Sequence, residues 1–204
     1  MVSTRSILLD ADGVIQSASP EWRRRLASLV PDGAQADEFL AEVFAAERPC
    51  ITGEQDFVVV LEAILRRWQC NVNIDDALDI WTLIEPDHEV LAMVRQLQGQ
   101  GHRVCLATNQ QRHRARYMSD VLGYKNLFDA SFYSCDIGHA KPDRSYFLNM
   151  MDQLGAKAGQ LLFIDDKDAN VAAARELGIQ AEQFHLMEGV EVLRERLRIH
   201  RIDV

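Results

Sequence analysis

The chain has 204 residues, 48% of them apolar and 26% charged, which suits one globular domain or a core domain with a smaller insertion. That balance excludes a disordered, collagen-like or coiled-coil chain, and no stretch approaches the ~18 consecutive apolar residues of a membrane span. The net charge of −9, from 22 Lys and Arg against 31 Asp and Glu, opposes phosphate-driven binding of nucleic acid.

In chain order, residues 6–9 predict a short buried strand ending at Asp10. Asp10 and Asp12 interrupt the apolar run Ile7-Leu8-Leu9, so no signal peptide is expected at the opening. From about Pro20 to Ile84 the apolar spacing is helical: Trp22, Leu26 and Leu29, then Phe39, Leu40, Val43 and Phe44, then Val60, Leu61, Ile64, Leu65 and Trp68. Turns are expected near Pro31-Asp32-Gly33, at Pro49 and near Asn71-Val72-Asn73. This block predicts a helical subdomain, residues 16–85, set between core segments 1–15 and 86–204.

The core then resumes. Val90, Leu91, Val94 and Leu97 stripe a helix over 87–100, with Gly99 and Gly101 as stop signals. Residues 104–107 predict a strand ending at Thr108-Asn109. Met118, Val121 and Leu122 mark a helix before Gly123, and 130–134 is a weaker strand. Residues 161–164 form a clear strand ending at Asp165-Asp166, and Val171, Ala174 and Leu177 stripe a helix stopped by Gly178. The tail from Glu188 is helical in pattern, with dimer packing one possible role. The alternation predicts an α/β fold, a Rossmann-like doubly wound parallel sheet with an inserted all-helical subdomain.

In such sheets ligands bind beyond the carboxyl ends of the strands. Those ends carry Asp10 and Asp12, Thr108 and Asn109, and Asp165 and Asp166; Lys141-Pro142 follows the weaker strand, and Asn170 lies four residues after Asp166. Carboxylates gathered so closely repel one another, and a divalent cation with oxygen ligands, Mg²⁺, resolves the repulsion. A cation and a lysine together neutralise a phosphate while an aspartate attacks it, so the constellation points to phosphate chemistry. Asp10 and Asp12, two apart on extended chain, lean to one face. Gly13 permits a tight turn away from the strand, and Pro142 restricts Lys141.

The segments LLDADGVI, LATNQ, GHAKP and LLFIDDKDANV together resemble the four motifs of the haloacid dehalogenase superfamily, in order and at compatible spacing. The resemblance covers residues 5–19 and 86–186, and the insertion is similar to the small helical cap of one subgroup. It implies that Asp10 is the nucleophile and a metal ligand, and that Asp12 is the general acid and base, meeting the metal through its backbone carbonyl. It implies further that Thr108, with Asn109 beside it, binds the phosphoryl group, that Lys141 balances the phosphate and Asp10, that Asp166 with Asp165 anchors Mg²⁺, and that Asn170 supports them. Ala11, where a larger apolar residue is common, is expected to point away from the site.

Within the superfamily, Asp12 favours phosphoryl transfer over dehalogenation, and the lack of a lysine in the insertion disfavours phosphonate cleavage. The segments 84–109 and 163–179 look most like the branch holding α-glucose-1-phosphate phosphatase and the phosphatase domain of soluble epoxide hydrolase. The expected activity is therefore a Mg²⁺-dependent phosphatase acting on a small phosphomonoester through an aspartyl-phosphate. A sugar phosphomutase, a dehalogenase or a non-catalytic binding module are the alternatives. The insertion holds 13 acids against 6 arginines, which favours a compact phosphorylated metabolite over a polyanion. A cytoplasmic monomer or homodimer, with neither nucleic acid nor membrane as partner, is expected.

Other residues read as structural. Cys50, Cys70, Cys105 and Cys135 form no CxxC pair, and Cys105 belongs to a strand. His102 sits in a helix-to-strand turn, and His113, His139 and His185, which lack metal-ligand spacing, are expected at the surface or behind the site's ligands. Arg23, Arg24 and Arg25 form a solvated face, and Trp22, Trp68 and Trp81 are expected in the core of the insertion.

Overall fold

The computed structural model describes residues 6–204. Residues 1–5, where the first core segment and the reading of a leaderless opening begin, lie outside the described residues. The chain runs β1 (Ser6–Leu9), β2 (Gln16–Ala18), α1 (Trp22–Ala27), α2 (Ala36–Ile51), α3 (Phe57–Arg67), α4 (Ile74–Leu78), β3 (Ile84–Pro86), α5 (His88–Gly99), β4 (Arg103–Thr108), α6 (Arg112–Arg116), α7 (Tyr124–Leu127), β5 (Ala130–Tyr133), α8 (Ser134–Ile137), α9 (Arg144–Leu154), β6 (Leu161–Asp165), α10 (Asp168–Glu176), β7 (Gln180–Gln183) and α11 (Val190–Ile199).

Five strands form one parallel sheet in the order β5-β4-β1-β6-β7. Because β1 lies at its centre with both faces covered, Ile7, Leu8 and Leu9 are all buried, and the strand reads as an unbroken apolar run. Alternate residues serve opposite layers. Ile7, Leu9, Val104, Leu106, Leu162 and Ile164 pack with Val90, Val94 and Leu97 of α5 and with Leu193 and Leu197 of α11. Leu8, Cys105, Phe163 and Leu161 pack with Tyr146, Phe147 and Met150 of α9 and with Val171 and Ala174 of α10. This is the doubly wound α/β architecture, and the tail helix closes one of its layers.

The residues between β2 and β3 are helical and bury an apolar cluster of their own, including Leu26, Phe39, Val43, Phe57, Leu61, Ile64 and Trp81. Trp22 stacks on Phe44 at 5.7 Å between ring centres, and Trp68 meets Phe39 edge-on. β2 and β3 pair antiparallel, Gln16 opposite Pro86, so the chain leaves the sheet and returns at neighbouring points. The block also touches the sheet side near α8. There Ser134 Oγ donates to the Ile51 carbonyl at 2.7 Å and accepts from Gln110 N at 2.9 Å.

Several expectations need correction. Pro49 does not end α2, which runs on to Ile51. Proline there removes one hydrogen bond in the final turn, while Cys50 beyond it is buried. Val121, read as part of an apolar stripe, is 67% exposed; Tyr124 is buried on that side of the fold instead. Ser134 starts α8 and does not extend β5. The helix α9, carrying buried Tyr146, Phe147 and Met150, and the strands β2, β3 and β7 had no place in the sequence reading.

The four cysteines are free, and among the described residues no helix is long and apolar enough to cross a membrane. Arg23, Arg24 and Arg25 are exposed, as expected of a solvated face.

Gly53 has φ +74°, and a Cβ there would run into the Cys135 carbonyl oxygen, whereas a Cβ on Gly33 would meet nothing within 4 Å. Gly53→Ala is expected to cost about 1–3 kcal/mol in urea unfolding and Gly33→Ala to stay within about 0.5 kcal/mol. Equal midpoints for the two variants would show that the block does not seat against α8 through this turn.

Candidate active site

Asp10 follows β1 directly and is held by its own N–H, which donates to the Ile164 carbonyl at 2.9 Å. Its Oδ1 accepts from Ala11 N at 2.7 Å and from Lys141 Nζ at 2.9 Å. The lysine arrives from the loop before α9, where Asn109 clamps its backbone. Asn109 Nδ2 donates to the Lys141 carbonyl (2.7 Å), and Lys141 N donates to Asn109 Oδ1 (2.8 Å). Lys141 Nζ also donates to the Ala107 carbonyl at 2.7 Å and to Asp165 Oδ2 at 2.5 Å, so all three ammonium protons are used. Its charge lies 5.1 Å from the centre of the Phe163 ring. Asp165 Oδ1 in turn accepts from Lys167 N and from Asn170 Nδ2, both at 2.9 Å.

Asp10, Lys141, Asp165 and Asn170 are all buried, and so is Thr108 at the end of β4, whose hydroxyl accepts from Gln110 Nε2 at 3.4 Å. Burial pushes the Asp10 carboxyl up to about 6, against the pull of Lys141, with Asp165 pushing the same way. Burial alone would lower Lys141, but Asp10 and Asp165 outweigh it and raise the ammonium above its ordinary value. The lysine is therefore charged, between two acids.

One carboxylate oxygen each from Asp10, Asp165 and Asp166 lie within 4.8 Å of one another. Asp166 Oδ1 is buried with no hydrogen-bond partner among the described residues, and burial, then Asp10, raises its carboxyl. A buried carboxylate oxygen without a donor is costly unless a cation meets it. The all-oxygen donor set is the kind that suits Mg²⁺. Gly13, at φ +83°, lets the chain turn past this group, because a Cβ there would lie 2.8 Å from Asp166 Oδ2.

Asp12 behaves differently. The strand stops at Leu9, and the Asp12 carboxylate is not one of the three that gather. It accepts from Gln16 Nε2 (2.9 Å), from Gln110 Nε2 (2.7 Å) and, bidentately, from Arg114 (2.8 and 2.9 Å). Burial would raise its carboxyl, but the Arg114 charge and these bonds hold it below its usual value. Ala11 is buried in the sheet's core, away from the site as expected.

Gln16, Gln110 and Arg114 had no place in the sequence reading. Gln16 directly follows the first motif, Gln110 ends the second, and Arg114 lies in α6, whose N-cap is Gln111. Glu47 on α2 is a further missed acid. Burial lifts it to about 6, against Arg114 and its hydrogen bond from Trp81 Nε1 at 3.0 Å.

The family model for haloacid dehalogenase-like hydrolases matches residues 4–178. The chain is 30% identical over 112 residues to sesquiterpene phosphatase astK of Aspergillus oryzae, covering 55% of this chain and 56% of that protein. It is 29% identical over 206 residues to bifunctional epoxide hydrolase 2 of Sus scrofa, covering 87% of this chain and 36% of that one. The chain thus spans between 36% and 56% of the length of these relatives. Among solved structures, the magnesium complex of the HAD family enzyme bt-2542 from Bacteroides thetaiotaomicron superposes with a TM-score of 0.79 at 17% identity, over 94% of this chain and 98% of that one.

Lys141→Met would leave Asp10 and Asp165 facing each other without a cation. A loss of about 3–5 kcal/mol is expected in urea unfolding at pH 8 with chelator present. Asp10, already raised by burial, loses the pull of the lysine in the variant, so part of the lost stability is expected to return as pH falls through its folded pKa. A loss of the same size at pH 5 and pH 8 would contradict this account of the lysine.

Proposed function

The chain belongs to the haloacid dehalogenase-like hydrolases, and on that premise we propose that it is a Mg²⁺-dependent phosphatase of small phosphomonoesters working through an aspartyl-phosphate. It is a hydrolase with a relative named as a phosphatase. The observation that carries the finer reading is the buried ammonium of Lys141 shared by Asp10 and Asp165, with the unpartnered oxygen of Asp166 beside it. Lys141 would give a phosphate one positive centre, and a divalent cation, which Asp10, Asp165 or Asp166 and the Asp12 backbone carbonyl would hold, would supply a second.

Asp10 would attack phosphorus. Its Oδ1 is already engaged by Lys141 and Ala11 N, which leaves Oδ2 for the new P–O bond. The Thr108 hydroxyl and the Lys141 ammonium would hold the phosphoryl oxygens, while the Asn109 side chain keeps the lysine's backbone in place. Asp12 is held ionised by Arg114 in the arrangement seen, so it would first have to leave the guanidinium and take up a proton from solvent, which it would then give to the leaving oxygen as the old P–O bond breaks. It would then take one from the water that attacks the phosphoryl group, and Asp10 is released with inorganic phosphate. A bound Mg²⁺ would supply neutralisation of the phosphate charge. Asn170 would act through Asp165, by orienting its carboxylate.

We read residues 16–85 as a cap over this site. Its excess of acids over arginines favours a compact monoester, and Glu47 is the cap carboxylate near the Asp12 group. The relative named as a sesquiterpene phosphatase is consistent with a small organic phosphate as substrate.

Purified protein is expected to release phosphate from p-nitrophenyl phosphate with Mg²⁺, to stop with EDTA and to recover when Mg²⁺ is restored. Asp10→Asn is expected to lower kcat by at least about 10³-fold. Persisting turnover in that variant would overturn the nucleophile assignment. Formation of an isomerised sugar phosphate without phosphate release would favour a mutase.

A further inference from the structure

A cleft of about 460 Å³ lies between α5 and the segment 122–127, and none of its lining residues belongs to the acidic group or to the contacts of Asp12. Leu91, Leu122 and Leu127 line it, each half-buried where it packs on the core. Its polar members are a guanidinium, an imidazole and two amides, from Arg95, His88, Gln98 and Asn126, and no acid lines it. Arg95 is exposed and makes no ion pair among the described residues, although acids outnumber bases in the chain by 31 to 22. The cleft is thus a local reversal of sign on an acidic protein.

The two walls are tied together. Gln98 Nε2, from α5, donates to the Leu127 carbonyl at 2.9 Å and to Asp129 Oδ2 at 3.1 Å. The same Asp129 oxygen accepts from Val104 N, so this acid is engaged behind the wall. On the far side a single π turn, Tyr117–Val121, leads into Leu122, and such turns are frequent where a helix serves a function. Gly123 follows at φ +76°, and a Cβ there would meet nothing within 4 Å, so the chain stands clear of α5 at this point. The space is therefore part of the folded backbone and needs no rearrangement to open.

An occupant must match half-buried leucines, one guanidinium without an acid partner and neighbouring amides. An apolar body carrying one anionic head does so: the leucines take the body out of water, and the guanidinium grips a carboxylate at two points. A single arginine balances one negative charge, which favours a carboxylate over a phosphate dianion. We propose that this cleft binds a small amphipathic carboxylate, its head on Arg95 and its body on Leu91, Leu122 and Leu127. The site stands whether or not the phosphatase reading does.

The experiment titrates octanoate into the full ¹⁵N-labelled chain and follows amide shifts. Shifts are expected over α5 and 122–127, with octanol binding at least about 5-fold more weakly and octylammonium not at all. Arg95→Gln is expected to weaken octanoate about 5-fold or more and to leave octanol unchanged, so that the preference for the acid disappears. Ala92→Phe, which fills the cleft from an exposed position on α5, is expected to weaken both at least about 10-fold. Asp10→Asn is expected to bind octanoate like the wild type, which separates the cleft from the acidic group. Both cleft substitutions fall on exposed helix positions, and unchanged urea midpoints would show that the fold is kept. No shifts with octanoate up to about 5 mM, octylammonium binding as well as octanoate, or octanoate binding indifferent to Arg95→Gln and Ala92→Phe would each overturn the proposal.

Discussion

The structure turns on one ammonium group. Lys141 is buried, and an isolated charge there would cost several kcal/mol in lost hydration. Its three protons meet Asp10 after β1, the Ala107 carbonyl in β4 and Asp165 at the end of β6. The cost is offset only where these three neighbouring strands end at one level, so the ion cluster and the sheet register require each other. The converse also holds, because Asp10 and Asp165 could not approach so closely without the cation. The Asn109 clamp and the Asn170 bond keep the two ends of the cluster in position.

A second network stands beside the first and has different work to do. Asp12 is turned toward α6, β2 and the loop after β4, where Arg114, Gln16 and Gln110 surround it. Ser134 links the Gln110 backbone to the Ile51 carbonyl of the helical block, and Glu47 faces the same arginine. The block therefore meets the sheet domain through the groups that orient Asp12, while the Asp10–Lys141–Asp165 cluster is built wholly from the sheet side. The Asp10–Lys141–Asp165 cluster and the contacts of Asp12 thus rest on separate supports.

Much of the sheet was legible because buried parallel strands carry unbroken apolar runs. Residues 6–9, 104–107 and 161–164 have them, and the acids and the threonine that follow sit where such a sheet binds ligands. β7 reads Gln-Ala-Glu-Gln and was not legible, since an edge strand buries little and here only Ala181 is buried. Pro49 misled for a related reason. A breaker signal is local, while the packing of Cys50 beyond it is not.

The motif residues Asp10, Asp12, Thr108, Asn109, Lys141, Asp165, Asp166 and Asn170 could be named from order and spacing, because all but Lys141, which sits in the loop before α9, lie at or just past a strand end or in the helix that follows one. Their division of labour could not. Whether Asn109 turns to a ligand or to the Lys141 backbone, and whether Asp12 joins the acids or the arginine, depends on groups 32 and 102 residues away. Linear spacing carries no record of such distances. Composition and strand-end chemistry determined the class of fold and the candidate residue set; only the folded chain decided which charges pair, because Coulomb energy and hydrogen bonding depend on separation in space.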